Sequence, residues 1–391
     1  MYAVIGSGLA GLSAALTLQG AGKEVVVIDS ADSPGGRIAS DAIDGFILDR
    51  GFQLINLNYP EIKRLAIAAE LEFKEAPRSL RVSFDSDFVN LGDPRTSFLS
   101  IFSSASGSLP SKVALLKYLA SKPDASESVE AHLIRSGCAD LYKKVLKPFL
   151  QGVFLAEPSR VNGVIGREII GSFISGRSGV PALGVDQLPI ALAKRVKNLK
   201  LSTRVEEIRG KVIVTSNGEF LAEKIILATD LTTAGQLLGA DQVKPLLSAT
   251  TWYHATEYPP TETAQLVIDS QGRGPVVNSI VISNLADSYA PAGQSLISST
   301  TISHASESEV RRHLALMWGG STGDWRFIAK YEIHSALPLF APGPMQVKKY
   351  RINENIYCAG DYLTSPSQNG ALLSGRLAAE ELLLDEGFQR S

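Results

Sequence analysis

The sequence is poor in the residues that build metal centres and disulfide frameworks. Its 391 residues include two cysteines, Cys138 and Cys358, and five histidines, none of them at metal-ligand or redox spacing. Cysteines that are few and far apart are typical of a reducing compartment and argue against a disulfide-stapled secreted fold. We therefore expect a cytoplasmic protein without a bound metal.

Excess charge and long hydrophobic runs are missing as well. The formal net charge is −2, so nothing points to a nucleic-acid partner. No run approaches the roughly 18 apolar residues of a membrane span, and because the first strand starts at Tyr2 we expect no signal peptide. The segment from Ser97 to Leu119 is apolar in parts but is interrupted by serines and Pro110. It favours a core helix or loop, and a peripheral membrane contact stays open.

A strand–loop–helix–strand unit opens the chain. Residues 2–5 form a short apolar strand, Gly6-Ser7-Gly8-Leu9-Ala10-Gly11 follows, and residues 12–19 have helical character. Residues 24–28 form a second apolar strand that ends at Asp29, 18 residues after Gly11. This order and length predict a βαβ unit that binds a dinucleotide.

Each part of this unit has a physical role. Gly6 permits the tight turn, Gly8 lets backbone approach a pyrophosphate, and Gly11 lets helix and strand pack closely. The helix N-terminus offers free N–H groups to phosphate oxygens. Asp29 can accept hydrogen bonds from ribose hydroxyls and would repel a 2′-phosphate, which disfavours NADP.

Two further segments separate FAD from NAD. Gly35-Gly36-Arg37 and Gly51-Phe52-Gln53 follow the second strand, with Arg37 offering a fork of donors to phosphate. Near the other end, Gly360-Asp361 closes a strand and Asn369-Gly370-Ala371 opens a helix that can aim N–H groups at a flavin carbonyl. The ordered set predicts FAD.

With these motifs the chain resembles the flavin amine oxidase superfamily, which includes phytoene desaturases, protoporphyrinogen oxidases and monoamine oxidases. The resemblance lies mainly in about 50 N-terminal and 40 C-terminal residues, and it is closest to phytoene-desaturase-like members. It implies an α/β, Rossmann-like FAD-binding domain interleaved with an α+β substrate domain built on a mixed sheet. Residues 1–77, 182–246 and 346–391 would form the first domain, and residues 78–181 and 247–345 the second.

The resemblance also implies which residues hold FAD, with Val205 contacting adenine through its backbone. The set is Gly6, Gly8, Leu9, Ala10, Gly11, Asp29, Ser30, Gly35, Gly36, Arg37, Gly51, Phe52, Gln53, Val205, Ala228, Gly360, Asp361, Asn369, Gly370 and Ala371. Monoamine oxidases tether flavin through a cysteine, but residues 337–355 contain none, so we expect noncovalent FAD. Cys358 is interpreted as a core residue.

The sequence indicates the reaction less clearly than it indicates the cofactor. Because flavin carries the electrons, no catalytic side chain can be named. Amine oxidases commonly have a lysine on the strand that matches residues 248–257, which has none here, and Lys330 is interpreted as solvated. Trp252 and Tyr362 are candidates for contact with substrate, whereas His254 is interpreted as structural.

Three functions are therefore compared. The leading one is dehydrogenation or desaturation of a small hydrophobic molecule by hydride transfer to flavin N5. The second is an amine or porphyrinogen oxidase that uses oxygen. The third is a non-enzymatic binder similar to inhibitors of GDP release from Rab proteins, and a complete flavin site argues against it. The oligomeric state and the electron acceptor stay open.

Overall fold

Two large β-sheets dominate the fold. The computed structural model describes residues 1–85, 87–91, 109–124, 126–240, 246–344 and 349–388. The strands in chain order are β1 (Tyr2–Ile5), β2 (Val25–Ile28), β3 (Ser40–Ile43), β4 (Phe46–Asp49), β5 (Ile55–Asn56), β6 (Phe73–Glu75), β7 (Leu80–Phe84), β8 (Asp87–Leu91), β9 (Ser178–Pro181), β10 (Leu199–Lys200), β11 (Val205–Arg209), β12 (Val212–Thr215), β13 (Gly218–Leu221), β14 (Ile225–Leu227), β15 (Leu247–Thr256), β16 (Leu266–Asp269), β17 (Val276–Val281), β18 (Ser295–Thr301), β19 (Arg326–Leu337) and β20 (Ile356–Cys358).

Helices cover both sheets. They are α1 (Leu9–Gly20), α2 (Pro60–Leu65), α3 (Leu109–Ala120), α4 (Val129–Arg135), α5 (Ala139–Leu141), α6 (Lys147–Phe154), α7 (Gly163–Ser175), α8 (Gln187–Lys194), α9 (Leu231–Leu237), α10 (Glu307–Trp318) and α11 (Gln368–Asp385). A π-helical segment, Tyr142–Leu146, joins α5 to α6. Short 3-10 turns lie at Ala68–Glu70, Pro158–Arg160, Ile282–Asn284, Asp287–Tyr289 and Asp361–Leu363.

The predicted βαβ unit is confirmed, with one shift at the helix start. Helix α1 begins at Leu9, three residues before the predicted start at Leu12. The reason is that extended backbone ends at Gly8, which is the N-cap, so Gly11 lies inside the first turns of the helix. Strand β2 ends at Ile28 as predicted.

The first sheet is parallel, in the order β10-β2-β1-β14-β20. Strands β1, β2, β14 and β20 are buried throughout, as expected for a parallel sheet covered on both faces. One face packs on α1, α8 and α11. The other packs on α9 and on the antiparallel sheet β11-β12-β13. The predicted turn at Asn217-Gly218 joins β12 to β13.

The second sheet is mixed, in the order β19-β15-β18-β17-β16-β7-β8. Strands β16 and β7 are parallel neighbours, and the other pairs are antiparallel. The strands predicted at residues 250–257, 264–269, 276–284 and 294–302 all form, although the third ends in a 3-10 turn. Helix α10 covers one face.

The strands of the two large sheets come from different parts of the chain. Those of the parallel sheet lie within residues 1–77, 182–246 and 346–391, and those of the mixed sheet lie within residues 78–181 and 247–345. A small sheet, β5-β9-β6, pairs residues 178–181 with strands of the N-terminal segment. The division of the chain into two domains stays a prediction.

The segment considered for membrane contact is only partly described. Residues 97–108 lie outside the described residues, and α3 forms the rest. Within the described ranges no helix has the length and apolar character needed to cross a bilayer.

Candidate functional site

A deep cleft lies where the carboxyl ends of the parallel strands face the mixed sheet. Its volume is about 770 Å³, within the ~300–1,000 Å³ range of small-molecule and cofactor sites. It is lined by all the predicted cofactor-binding residues except Gly11, Asn369 and Gly370. Segments separated by more than 300 residues in sequence therefore meet at one site.

The glycine loop is shaped by close backbone contacts. Gly6 has φ +107°, and a Cβ there would lie 2.7 Å from the carbonyl oxygen of Ala228. Gly11 does not line the cleft, because it sits where a Cβ would lie 1.9 Å from the carbonyl oxygen of Gly6. Its packing role is the one predicted. At the helix start, Gly8 provides no side-chain cap, which leaves first-turn N–H groups available to an anion.

A second glycine pair lies against this loop. Gly8 and Gly35 form an isolated parallel bridge, and the Gly35 N–H donates to the carbonyl oxygen of Ser7 at 3.0 Å. Gly35 and Gly36 have φ values of +130° and +61°, a region that favours glycine. The pair brings backbone to the mouth of the glycine loop.

Asp29 stands at the end of β2, as predicted, with both oxygens engaged. Oδ2 accepts from the N–H and hydroxyl of Ser7, and Oδ1 accepts from the Ala31 N–H at 2.8 Å. These bonds orient the carboxylate at the cleft wall. Because Oδ2 already accepts twice, Oδ1 is the oxygen that retains acceptor capacity for a ligand hydroxyl.

Arg37 and Asp361, which both line the cleft, form an ion pair. Arg37 donates from Nη2 to Asp361 Oδ1 and from Nη1 to the carbonyl oxygen of Ala336, both at 2.7 Å. Burial opposes the charge of Arg37, but Asp361 outweighs it and holds the pKa of the guanidinium above its ordinary value. The sequence predicted both residues as ligand contacts without predicting that they contact each other.

The start of α11 forms another part of the wall. The hydroxyl of Ser367 caps the helix by accepting from the Gly370 N–H at 2.9 Å, and Ala371 lines the cleft. Gly370 lies behind it, since a Cβ there would lie 2.0 Å from the carbonyl oxygen of Ser365. Asn369 points elsewhere and accepts from the Glu61 N–H at 3.2 Å.

Gln368 contributes a polar atom that sequence analysis missed. Its Oε1 is buried and has no hydrogen-bond partner among the described residues, while its Nε2 donates to Gln53 Oε1 at 3.4 Å. Buried polar atoms rarely stay unpaired in folded proteins. This amide oxygen is therefore available to accept a hydrogen bond from a ligand.

The adenosine end of the predicted site contains Val205 and Ala228 together with residues that sequence analysis missed. Thr203, Arg204, Asp230, Thr232 and Thr233 also line it. Asp230 Oδ1 caps α9 by accepting from the N–H groups of Thr232 and Thr233. An Asp-x-Thr-Thr pattern after a buried strand is an N-cap pattern, so this part could have been found.

The far end of the cleft is mostly apolar, although Thr251, Asn278 and Thr300 of the mixed sheet also line it. It lies between the mixed sheet and helices α6 and α7, and its apolar lining is Leu54, Tyr59, Val153, Leu155, Ile169, Phe173, Ala249, Ile333 and Leu337. Burial raises the pKa of Tyr59 to about 12, so this phenol stays neutral. Among the described lining residues, the charged side chains are Asp29, Arg37, Arg50, Arg204, Asp230 and Asp361, all from the segments around the glycine loop and strand ends.

The residues predicted to contact substrate lie outside this lining. Trp252 faces α10, and its Nε1 donates to the Thr301 hydroxyl at 3.1 Å. Tyr362 packs its ring on Gly360 and donates to the carbonyl oxygen of Ala359 at 3.3 Å. Neither side chain lines the cleft.

Three residues were set apart from the site: His254 as structural, Lys330 as solvated and Cys358 as a core residue. The His254 ring is buried, and its Nε2 lies 3.1 Å from Glu307 Oε1. Lys330 is half exposed and pairs with Glu332 at 2.6 Å. Cys358 is buried in β20, where burial raises the pKa of its thiol to about 12.

Comparisons with known proteins agree with this geometry. A phytoene dehydrogenase of Streptomyces griseus is 44% identical over 66 residues, which is 17% of this chain and 13% of that protein. A putrescine oxidase of Kocuria rosea is 44% identical over 68 residues, 17% of this chain and 14% of that protein. A chloroplastic protoporphyrinogen oxidase of Nicotiana tabacum is 23% identical over 178 residues, 41% of this chain and 30% of that protein. The matches thus span less than a third of these curated relatives.

The whole fold has solved counterparts. An oxidoreductase from Methanosarcina mazei superposes with a TM-score of 0.77 at 16% identity, covering 97% of this chain and 99% of that one. The family model for flavin containing amine oxidoreductases matches residues 9–383, nearly the entire chain. The chain therefore belongs to the flavin containing amine oxidoreductase family.

Proposed function

We propose that the protein is a FAD-dependent oxidoreductase that dehydrogenates a neutral, hydrophobic small molecule. One observation carries the proposal. A single cleft joins the dinucleotide loop to an apolar end in which, among the described residues, no ionised side chain stands. A cofactor and an apolar substrate can therefore lie in contact.

The residues present fit FAD. The first turn of α1 at Gly8 would receive the pyrophosphate, Asp29 the ribose hydroxyls, and the Val205 backbone the adenine. The Arg37–Asp361 pair would meet the ribityl and phosphate oxygens. The unpartnered Gln368 Oε1 can accept from a ring N–H at the start of α11. Bound FAD would supply the hydride acceptor, and the chain would position the substrate and exclude water.

Two observations support noncovalent binding. No cysteine stands among the described residues that line the cleft. Both cysteines are buried, and burial raises the pKa of Cys138 to about 11 and that of Cys358 to about 12. A protonated thiol outside the cleft is not a nucleophile toward the cofactor.

Electrostatics favours a neutral substrate over an amine or a porphyrinogen. An ammonium or a carboxylate moved from water into an unpaired apolar site loses several kcal/mol of solvation, on the order of the penalty for any buried unpaired ion. The residues that form the apolar end include no ionised side chain, and the Glu168 carboxylate, whose charge also raises the pKa of Tyr59, does not line the cleft. The similarity to a putrescine oxidase and a protoporphyrinogen oxidase keeps amine or porphyrinogen oxidation as the second candidate.

Anaerobic reduction of the bound flavin separates these functions. Purified protein would be mixed without oxygen with a neutral polyene, a diamine and a porphyrinogen, and the flavin absorption followed. Bleaching by the polyene alone supports the proposal. Bleaching by the diamine or the porphyrinogen, followed by fast reoxidation in air, would replace it with the oxidase. A colourless protein that takes up no FAD would indicate a non-enzymatic binder.

A matched pair of variants on α7 tests the apolar end. Ile169 lines the cleft and is 8% exposed, whereas Val164 on the same helix is 38% exposed. Ile169→Glu should abolish reduction by the polyene while flavin retention persists, because the charge lies in the substrate end. Val164→Glu should change neither. Equal effects of both variants on reduction would contradict this placement of the substrate.

A further inference from the structure

Three polar side chains form a row across the mixed sheet at the apolar end of the cleft. Thr251 of β15 is directly opposite Thr300 of β18, and Thr300 is directly opposite Asn278 of β17. Residues that are directly opposite on neighbouring strands share one face of the sheet. All three line the cleft, so this polar row faces its interior.

The polar row is buried, and the hydroxyl at its middle lacks a hydrogen-bond partner. Thr251, Thr300 and Asn278 are 1%, 4% and 6% exposed. The Thr300 hydroxyl has no hydrogen-bond partner among the described residues. Thr251 Oγ1 accepts from the Phe52 N–H at 3.2 Å, which leaves its own O–H free to donate. A buried polar group without a partner costs about 1–3 kcal/mol, so a ligand that pairs with it gains correspondingly.

The opposite wall comes close to one end of this row. Helix α6 crosses β17 with Gly152, where a Cβ would lie 2.4 Å from Asn278 Nδ2. The next wall residues, Val153 and Leu155, are apolar. Glycine at this point lets α6 pack directly against the Asn278 side chain, so Thr251 and Thr300 are the members of the row that this contact leaves uncovered.

We propose that the polar row recognises one neutral oxygen function, a hydroxyl or a ketone, on an otherwise apolar substrate. The hydroxyl of Thr300 and the amide of Asn278 each donate and accept, which matches a neutral oxygen rather than an ion. A carboxylate or phosphate would need a cation, and the described lining has none at this end. The inference rests on the proposed function, since it assigns the substrate class of the same cleft.

Binding of a matched probe pair to the flavin-loaded protein tests this assignment. The probes are 4-phenylcyclohexanol and phenylcyclohexane, which differ by one hydroxyl, and binding is measured by calorimetry and by perturbation of the flavin spectrum. The alcohol should bind more tightly than the hydrocarbon by about fivefold or more, the worth of one net hydrogen bond. Thr300→Val, which keeps the β-branched shape, should remove most of this preference, and Thr300→Ser should restore it.

The control lies on the same strand. Thr301 is the next residue of β18, and its hydroxyl accepts from Trp252 on the other face of the sheet. Thr301→Val should lower stability and leave the preference between the probes unchanged. Equal affinity for the two probes, an unchanged preference in Thr300→Val, or no binding of the alcohol to fully flavin-loaded protein would overturn the inference. A protein that retains no flavin but prefers the alcohol by calorimetry would refute the proposed function and support the polar row.

Discussion

Breaking the ion pair between Arg37 and Asp361 should disconnect the C-terminal wall of the cleft from the glycine loop. The pair joins residues 324 positions apart, and Arg37 also donates to the carbonyl oxygen of Ala336. The Asp361 side chain is 5% exposed and that of Arg37 is 35% exposed. Arg37→Met therefore leaves a buried carboxylate without its counter-charge.

The magnitude follows from these contacts. Removing one partner of a fully buried pair costs ~3–5 kcal/mol, and solvent screening around the third of Arg37 that is exposed reduces this. We expect Arg37→Met to lower the free energy of unfolding of the flavin-free protein by about 2–3 kcal/mol. Asp361→Asn should lower the free energy of unfolding less, because Arg37 still donates to the carbonyl oxygen of Ala336 and reaches water.

A double-mutant cycle measures the coupling. Urea unfolding of wild type, Arg37→Met, Asp361→Asn and the double variant should give a coupling free energy of about 1–2 kcal/mol, with the double variant more stable than Arg37→Met. Flavin titration of the same four proteins should show weakened FAD binding in all three variants. If the effects of the two single variants on the unfolding free energy add to that of the double variant within ~0.5 kcal/mol, the reasoning is refuted, since two residues that form an ion pair cannot act independently.

The remaining predictions concern single residues. Gly6→Ala should abolish flavin retention, because the left-handed backbone and the contact with Ala228 exclude a Cβ. Gly20→Ala, where a Cβ would meet nothing within 4 Å, should retain flavin and change the free energy of unfolding by no more than ~1 kcal/mol. Flavin absorption and urea unfolding measure both effects. Although burial opposes it, hydrogen bonds from His313 and from the residues after β16 hold the pKa of Asp269 well below its usual range. Asp269→Asn should therefore lower the free energy of unfolding by about 2–3 kcal/mol at pH 7, and this loss should shrink as the pH falls through and below ~4. A loss of unfolding free energy that is the same at pH 3.5 as at pH 7 would contradict this. Burial raises the pKa of Asp49 to about 6, so this carboxyl group stabilises the fold below pH ~4 and loses that contribution as the pH rises through ~6. Asp49→Asn should therefore reduce the difference in unfolding free energy between pH 4.5 and pH 7.5. An unfolding free energy that depends on pH as in the wild type would contradict this.

The sequence predicted best what is contiguous in the chain. The βαβ unit, the Gly35-Gly36 pair and the start of α11 each carry their geometry within a few residues, and each contributes to the cleft, although only Ala371 of the residues predicted at the start of α11 lines it. The start of α1 was wrong by three residues, because glycine spacing does not show which glycine is the cap.

What depends on packing between distant segments was not predicted. Trp252 was predicted to contact substrate, but it lies on the face of β15 that α10 covers, whereas Tyr253 lies on the face that the N-terminal segments cover. The polar row requires the register of three strands, and the Arg37–Asp361 pair requires the meeting of both chain ends. Local sequence patterns therefore do not predict the polar row or this ion pair.

The most direct test of the central claim is the flavin content of the purified protein after acid precipitation. We predict a yellow protein that releases stoichiometric FAD into the supernatant, and Gly6→Ala purified in parallel should release none. A colourless protein that takes up no added FAD would contradict the proposed cofactor. Flavin that stays with the precipitate would contradict noncovalent binding.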